Sequence, residues 1–372
     1  GRLLSGALAL QNGGSWAGAI ALGATSPSLS SISSGVGISG GWAEIDLNAW
    51  MGLLDGGNGQ SLPVSSVDLT FDRVTGWGKR LEFVQAKAAL TAQGWSVQLA
   101  SRQAAGNLSW RGGPKPLLTG RLDRLQLPLP VANGVAGAAG ASAATSARAN
   151  ADPKPALDLT VNDFRYKSAD LGQLAVKAQP QGDGWQLNAI TLTNPDGRFD
   201  MSGLWQGSGG SERTTAKISL KSENAGKLLE RLGYPDTLRR ASTILTGEGG
   251  WQGSPFSPEQ NTVHGKLRLD VEAGQFAKIE PGAGRLISVI SLQSLSRRVK
   301  LDFRDVFSDG LEFDSIKGDV VIDKGVARTD NLTIESPSAR VRFKGDANIP
   351  AGTQNLRVRI VPLVGDAASL AV

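Results

Sequence analysis

Apolar and polar residues alternate along most of this chain, which predicts half-buried β-strands. Lys266-Leu-Arg-Leu-Asp-Val271 places Leu267, Leu269 and Val271 on one side and Lys266, Arg268 and Asp270 on the other. Ala339-Arg-Val-Arg-Phe-Lys344 opposes Val341 and Phe343 to Arg340, Arg342 and Lys344, and Leu356-Arg-Val-Arg-Ile360 repeats the arrangement with Val358. Weaker copies run from Leu157 to Val161, Trp185 to Ala189, Val320 to Asp323 and Leu332 to Glu335. In the first third, Glu44 to Asn48, Val67 to Phe71, Trp95 to Leu99 and Arg121 to Leu125 belong to the same class. Asn194-Pro-Asp-Gly197, Gly182-Asp-Gly184, Asp309-Gly310 and Lys324-Gly325 suit tight reversals. Neighbouring strands are therefore predicted to pair antiparallel, and helix patterns are too sparse for parallel crossovers.

Three segments carry helical expectations. Ala49 to Leu54 predicts one short turn, and Asn224 to Leu232 predicts a helix stopped by Gly233 and Pro235. Gly284 to Arg298 has an uncharged centre followed by two arginines, a favourable order at a helix C-terminus. Residues 132–154 are rich in Ala, Gly and Ser and predict a mobile insertion or linker. It divides the chain into a first segment, 1–131, and a second, 155–372. A loose repetition links the parts. Gly94-Trp95 and Gly184-Trp185 each open a strand, and Trp205-Gln-Gly207 and Trp251-Gln-Gly253 share one signature.

A sheet with one apolar face must cover that face, because each Leu, Val or Ile removed from water contributes roughly 1.5–3 kcal/mol. Helices are too few to do it. A second sheet would give a closed sandwich, and a bound lipid would leave an open groove. Periodicity leaves both open.

Composition narrows the chemistry. The 372 residues contain no cysteine and one histidine, His264, so disulfides, Cys/His zinc sites and cysteine nucleophiles are excluded. The formal charge of +5 comes from 39 basic and 34 acidic residues interspersed along the chain, which does not indicate a nucleic-acid surface. No run is apolar for the ~18 residues of a membrane span. The chain opens at Gly1-Arg-Leu-Leu without an initiating Met or a signal peptide, which reads as a piece of a longer protein. Asp302, Asp305, Asp309 and Asp314 invite a glycosidase-like pair, yet Asp near turns usually bonds backbone or water. No cofactor or metal is expected. His264 reads as a surface residue, several tryptophans as caps on a sheet edge, and Arg297, Arg298 and Lys300 as a solvated face.

From Gly274 onward an ordered series appears. It comprises Gly274-Gln-Phe276, Glu280-Pro-Gly-Ala-Gly-Arg-Leu286, Leu295-Ser-Arg-Arg298 and Leu301-Asp-Phe-Arg-Asp-Val-Phe307. Gly310-Leu-Glu-Phe-Asp-Ser-Ile-Lys-Gly318, Gly325-Val-Ala-Arg-Thr329, Ile334-Glu-Ser-Pro-Ser-Ala339 and Val361-Pro362 follow. The series resembles the C-terminal region of AsmA-like proteins of the YhdP branch, relatives of TamB. Leu171-Gly-Gln-Leu174, Gly203-Leu-Trp-Gln206 and Leu228 to Gly233 extend it upstream.

The resemblance implies a repeating β-groove: a long, curved, mostly antiparallel sheet with an open apolar side and few short helices. It implies a bridge across the periplasm of Gram-negative bacteria, anchored to the inner membrane by an N-terminal helix absent from this chain. Phospholipid is then the cargo, the inner and outer membranes are the partners, and no catalysis is involved. The lipid-contacting candidates are Leu267, Leu269, Val271, Phe276, Leu286, Ile287, Ile290, Val320, Ile322, Leu332, Ile334, Val341, Phe343, Val358 and Ile360. Leu286, Ile287, Ile290 and Leu292 would plug the groove, touch a membrane or pack on the sheet. The alternative is a closed β-sandwich serving as a structural or adhesion module. A carbohydrate-active enzyme lacks a recognisable acid/base constellation.

Overall fold

A computed structural model of the chain describes residues 4–10, 16–23, 35–46, 64–76, 79–127, 154–207, 210–276 and 310–363. These carry twenty β-strands and one α-helix, in two compact units spanning 1–167 and 168–372. The expected helices at Ala49 to Leu54 and Gly284 to Arg298 lie outside the described residues, as does 132–153 of the expected insertion.

The first unit contains β1 (Leu4–Leu10), β2 (Trp16–Leu22), β3 (Gly35–Asp46), β4 (Val64–Gly76), β5 (Lys79–Thr91), β6 (Gly94–Ala100), β7 (Ala104–Arg111), β8 (Leu117–Leu127) and β9 (Ala156–Tyr166). Each strand pairs with its neighbour in sequence. The pairs β2/β3, β3/β4 and β8/β9 are parallel, an exception to the expected antiparallel pairing of neighbouring strands. Connection length permits this. Twelve or more residues separate the strands of each parallel pair, enough to carry the chain back to the same end of the sheet. Ile45, Phe71, Val74 and Val84 form a buried cluster on one face, with Trp42, Leu69, Leu81 and Leu99 packed around it.

The second unit contains β10 (Ala169–Gln181), β11 (Gly184–Asn194), β12 (Gly197–Gln206), β13 (Arg213–Ser222), β14 (Leu238–Arg240), β15 (Thr243–Gln252), β16 (His264–Phe276), β17 (Glu312–Asp323), β18 (Val326–Glu335), β19 (Ala339–Asn348) and β20 (Thr353–Pro362). Here every pairing is antiparallel, as the turn signals predict. The three-residue β14 lies beside the far end of β16, where β15 has stopped. The helix α1 (Ala225–Arg231) forms where the sequence places it. The Asn224 side chain accepts a hydrogen bond from the Lys227 amide at 3.2 Å, an N-cap, and Leu232 closes the C-terminus just ahead of Gly233.

Two glycine contacts fix local geometry. Gly94 and Gly184 each abut the backbone of the next strand, and a Cβ would stand 2.2 Å from the Trp110 carbonyl oxygen or 2.0 Å from that of Trp205. No side chain fits there, so the Gly-Trp signature is a packing requirement in both units.

Candidate functional site

Residues opposite one another across a ladder share a face, so register turns the alternating pattern into continuous rows. In the second unit one row runs Leu174, Leu192, Phe199, Leu220, Leu245, Leu269, Gly318 across β10 to β17. A β-bulge breaks the register between β17 and β18. The row resumes because Gly318 lies against Leu332, where a Cβ would sit 2.6 Å from the Leu332 Cα. Leu332, Phe343 and Val358 complete it on β18 to β20. Ten strands, nine intervals of about 4.8 Å, give a contour of about 43 Å. Leu192, Phe199, Leu220, Leu245, Leu269, Leu332 and Val358 are only half-buried. An apolar stripe therefore stays in contact with solvent along most of its length.

The rows flanking it are tighter. On one side Val271, Ile316, Ile334, Val341 and Ile360 stand opposite one another in succession from β16 to β20. Val271, Ile316, Ile334, Val341, Phe343 and Phe313 form a buried cluster with Ala225 of α1 and Ala241. Phe276 packs against Phe313 with ring centroids 5.1 Å apart. The helix thus closes this margin of the face. On the other side Leu187, Ile190, Met201 and Ala216 are buried.

Beyond them lies an aromatic margin. Trp185 and Trp205 face each other across β11 and β12 and stack at 4.9 Å. Trp205 continues to Thr214 and Trp251 in register. Trp251 Nε1 donates to the Ser254 carbonyl at 3.0 Å. Trp205 Nε1 is covered and has no hydrogen-bond partner among the described residues.

The opposite face is charged. Arg268 and Asp319 meet at 2.9 Å across β16 and β17, and Lys317 and Asp270 at 3.2 Å. The Arg268 guanidinium, followed by the Asn331 amide at 2.8 Å, holds the Asp319 carboxyl below the usual carboxylate range. Arg198 acts on Asp200 in the same direction, aided by the Thr191 hydroxyl. A cleft of about 770 Å³ lies on this charged side, lined by Ser202, Lys217, Glu248, His264 and Lys266 among others. Ala216 and Ile322 line it as well, so it reaches the margin of the apolar side.

The structure brings twelve of the expected lipid-contacting residues onto the apolar side of the second unit. Val271, Ile334, Val341 and Phe343 are buried in its cluster, and Leu269, Phe276, Leu332, Val358 and Ile360 pack against it. Leu267 stands opposite Val320, and Ile322 lies between Gly265 and Ala327. Leu286, Ile287, Ile290 and Leu292 lie outside the described residues, as do Arg297, Arg298, Lys300, Asp302, Asp305 and Asp309. Sequence reasoning missed Phe313 and Ile316, and it did not carry the stripe back to Leu174, Leu192, Phe199, Leu220 and Leu245. The alternation in β13 and β15 was the available signal. Asp314 is exposed, and no group of three or more potential metal ligands occurs among the described residues. His264 is exposed at the start of β16, its Nδ1 3.1 Å from the Thr262 carbonyl.

These features define an unclosed β-sheet protein with one apolar and one charged face, the architecture of a β-groove. The family model described as YhdP protein matches residues 1–372, and the chain belongs to that family. It is similar to the protein named intermembrane phospholipid transporter YhdP of Escherichia coli strain K12, with 27% identity over 233 residues. The match covers 61% of this chain and 18% of that relative, so the chain spans a small part of the relative's length. No solved structure matches the chain. Among the described residues no helix is long and apolar enough to cross a membrane.

Proposed function

We propose that the apolar stripe of the second unit carries phospholipid acyl chains, as one section of a bridge along which phospholipids pass between membranes. The observation that carries this reading is the row from Leu192 to Val358, half-exposed at most of its positions and resumed across the β17/β18 bulge. Exposing a sixteen-carbon chain to water costs on the order of 12 kcal/mol at ~0.8 kcal/mol per CH₂. A trough of Leu, Val and Phe removes most of that cost while the headgroup stays wet. It offers little hydrogen bonding, so transfer from a bilayer is nearly neutral and the cargo is not trapped.

The relative's name as a phospholipid transporter supports this assignment, and the closed sandwich is disfavoured because the central row remains accessible. In this reading the chain is a periplasmic section of a longer protein held at the inner membrane by a helix elsewhere in it, and it performs no catalysis. Mass spectrometry of the purified chain is expected to find bound phospholipid. Leu245→Asp and Leu269→Asp, central and half-exposed, are expected to abolish that binding while far-UV circular dichroism is retained. Undiminished phospholipid in the folded variants would refute the path.

A further inference from the structure

Across the charged face, strands mostly oppose unlike charges: Arg268 faces Asp319, Asp270 faces Lys317, and in the first unit Asp68 faces Lys87 at 3.3 Å. Where Arg198 stands opposite Lys221, the Asp200 carboxylate interacts with both. The last hairpin reverses this rule twice in succession. Arg342 stands opposite Arg359, and Lys344 stands opposite Arg357. All four side chains are exposed. Like charges directly across a ladder destabilise it, so this arrangement works against the fold that contains it. Nearby acids do not relieve it. Glu335 is held by Arg340 at 2.6 Å, and Asp346 stands opposite Arg328 and Asn355. Among the described residues none of the four cations is in a salt bridge.

The same side of β20 then turns apolar. Arg357 and Arg359 are followed, at two-residue spacing, by Val361 and Leu363, which are 45% and 46% exposed. Cations beside protruding aliphatic side chains form the surface of a peripheral membrane contact: the charges meet phosphates and the aliphatic groups enter the headgroup layer. We infer that the outer side of β19 and β20 is a docking surface for an anionic phospholipid bilayer. An acidic protein would need an apolar patch placed beside its carboxylates to cover Val361 and Leu363, whereas an anionic bilayer presents phosphates and acyl chains together everywhere on its surface, which favours the bilayer. The inference is independent of the apolar stripe, which lies on the opposite face.

The test is flotation of the whole chain with vesicles of phosphatidylcholine plus phosphatidylglycerol, with vesicles of phosphatidylcholine alone as reference. Binding is expected to need phosphatidylglycerol and to fall as salt is raised. Arg359→Glu reverses two units of charge and should weaken binding roughly twentyfold to thirtyfold, at about fivefold per unit. The same substitution sets a carboxylate opposite Arg342 and should raise Tm, which separates lost binding from lost folding. Paired Val361→Ser and Leu363→Ser should weaken binding without changing its salt dependence. Equal flotation on phosphatidylcholine alone, or unchanged binding by Arg359→Glu, would overturn the inference. Tighter retention on immobilised polyglutamate than on the anionic vesicles would overturn it in favour of a protein partner. A lower Tm for Arg359→Glu would remove the repulsion on which the argument rests.

Discussion

In the first unit Trp95 stands opposite Trp110 on β6 and β7; in the second Trp185 stands opposite Trp205 on β11 and β12. Each pair follows a glycine pressed against the neighbouring backbone. Away from that margin the units diverge. The first unit's apolar row Val67, Ala88, Val97, Leu108, Gly120, Leu159 is interrupted by the small residues Ala88 and Gly120, and three of its strand pairs are parallel. The second unit's long row is nearly all Leu and Phe, its only glycine being Gly318, and its ladders are uniformly antiparallel. The margin is set by backbone contact and recurs; the depth of the face is set by side-chain size and varies.

The largest expected break in this comparison is in the second unit's core. Phe313 is 2% exposed and joins the sheet to α1 through Ala225. Phe313→Ala should cost about 3–5 kcal/mol. Hydrogen exchange should show the loss within 168–372 while β4 and β5 keep their protection; loss of protection in both units would show that they unfold together. The next effect falls on both margins. Gly94→Ala and Gly184→Ala should each cost about 1–3 kcal/mol by overpacking. Gly94 should suffer more because its φ of +118° is also unfavourable for alanine. Urea denaturation of the two variants measures the difference, and equal losses would assign the whole cost to the carbonyl contact.

A smaller effect belongs to the second unit alone. Asn224→Ala removes the cap of α1 and should cost about 1 kcal/mol, read as a lower urea midpoint, with Asn224→Ser restoring most of it. The smallest is a pH effect. The folded state holds the Asp319 carboxyl below its usual range, so its contribution is present above the ordinary carboxylate pKa. That contribution fades as pH falls through the depressed value. Asp319→Asn should therefore lower the urea midpoint slightly at neutral pH and leave it nearly unchanged in strong acid. A constant difference across the range would assign the effect to packing.

Strand positions were legible because period two survives over Lys266 to Val271 in β16, Arg340 to Lys344 in β19 and most of β20. The α1 helix was legible because Asn224 and Gly233 mark its ends. Strand direction was not: alternation is the same for parallel and antiparallel partners, and the connections into β3, β4 and β9 carry no period of their own. The stripe was half legible for a related reason. Which side Leu269 faces is local, but its standing between Leu245 and Gly318 depends on register, and the β17/β18 bulge alters that register. The basic hairpin shows the same limit. Arg342 and Arg359 are visible as exposed residues in the sequence, yet only the pairing of β19 with β20 sets them face to face.

The nearly sequential order of β10 to β20 has a bearing on how such a protein is made. Every ladder closes between strands one or two places apart in the chain, so the entropy of loop closure is met largely in small steps. A polypeptide delivered from its amino end can lay each new strand against the last one already settled. Lengthening the molecule then demands only another hairpin, not a redesign of those before it.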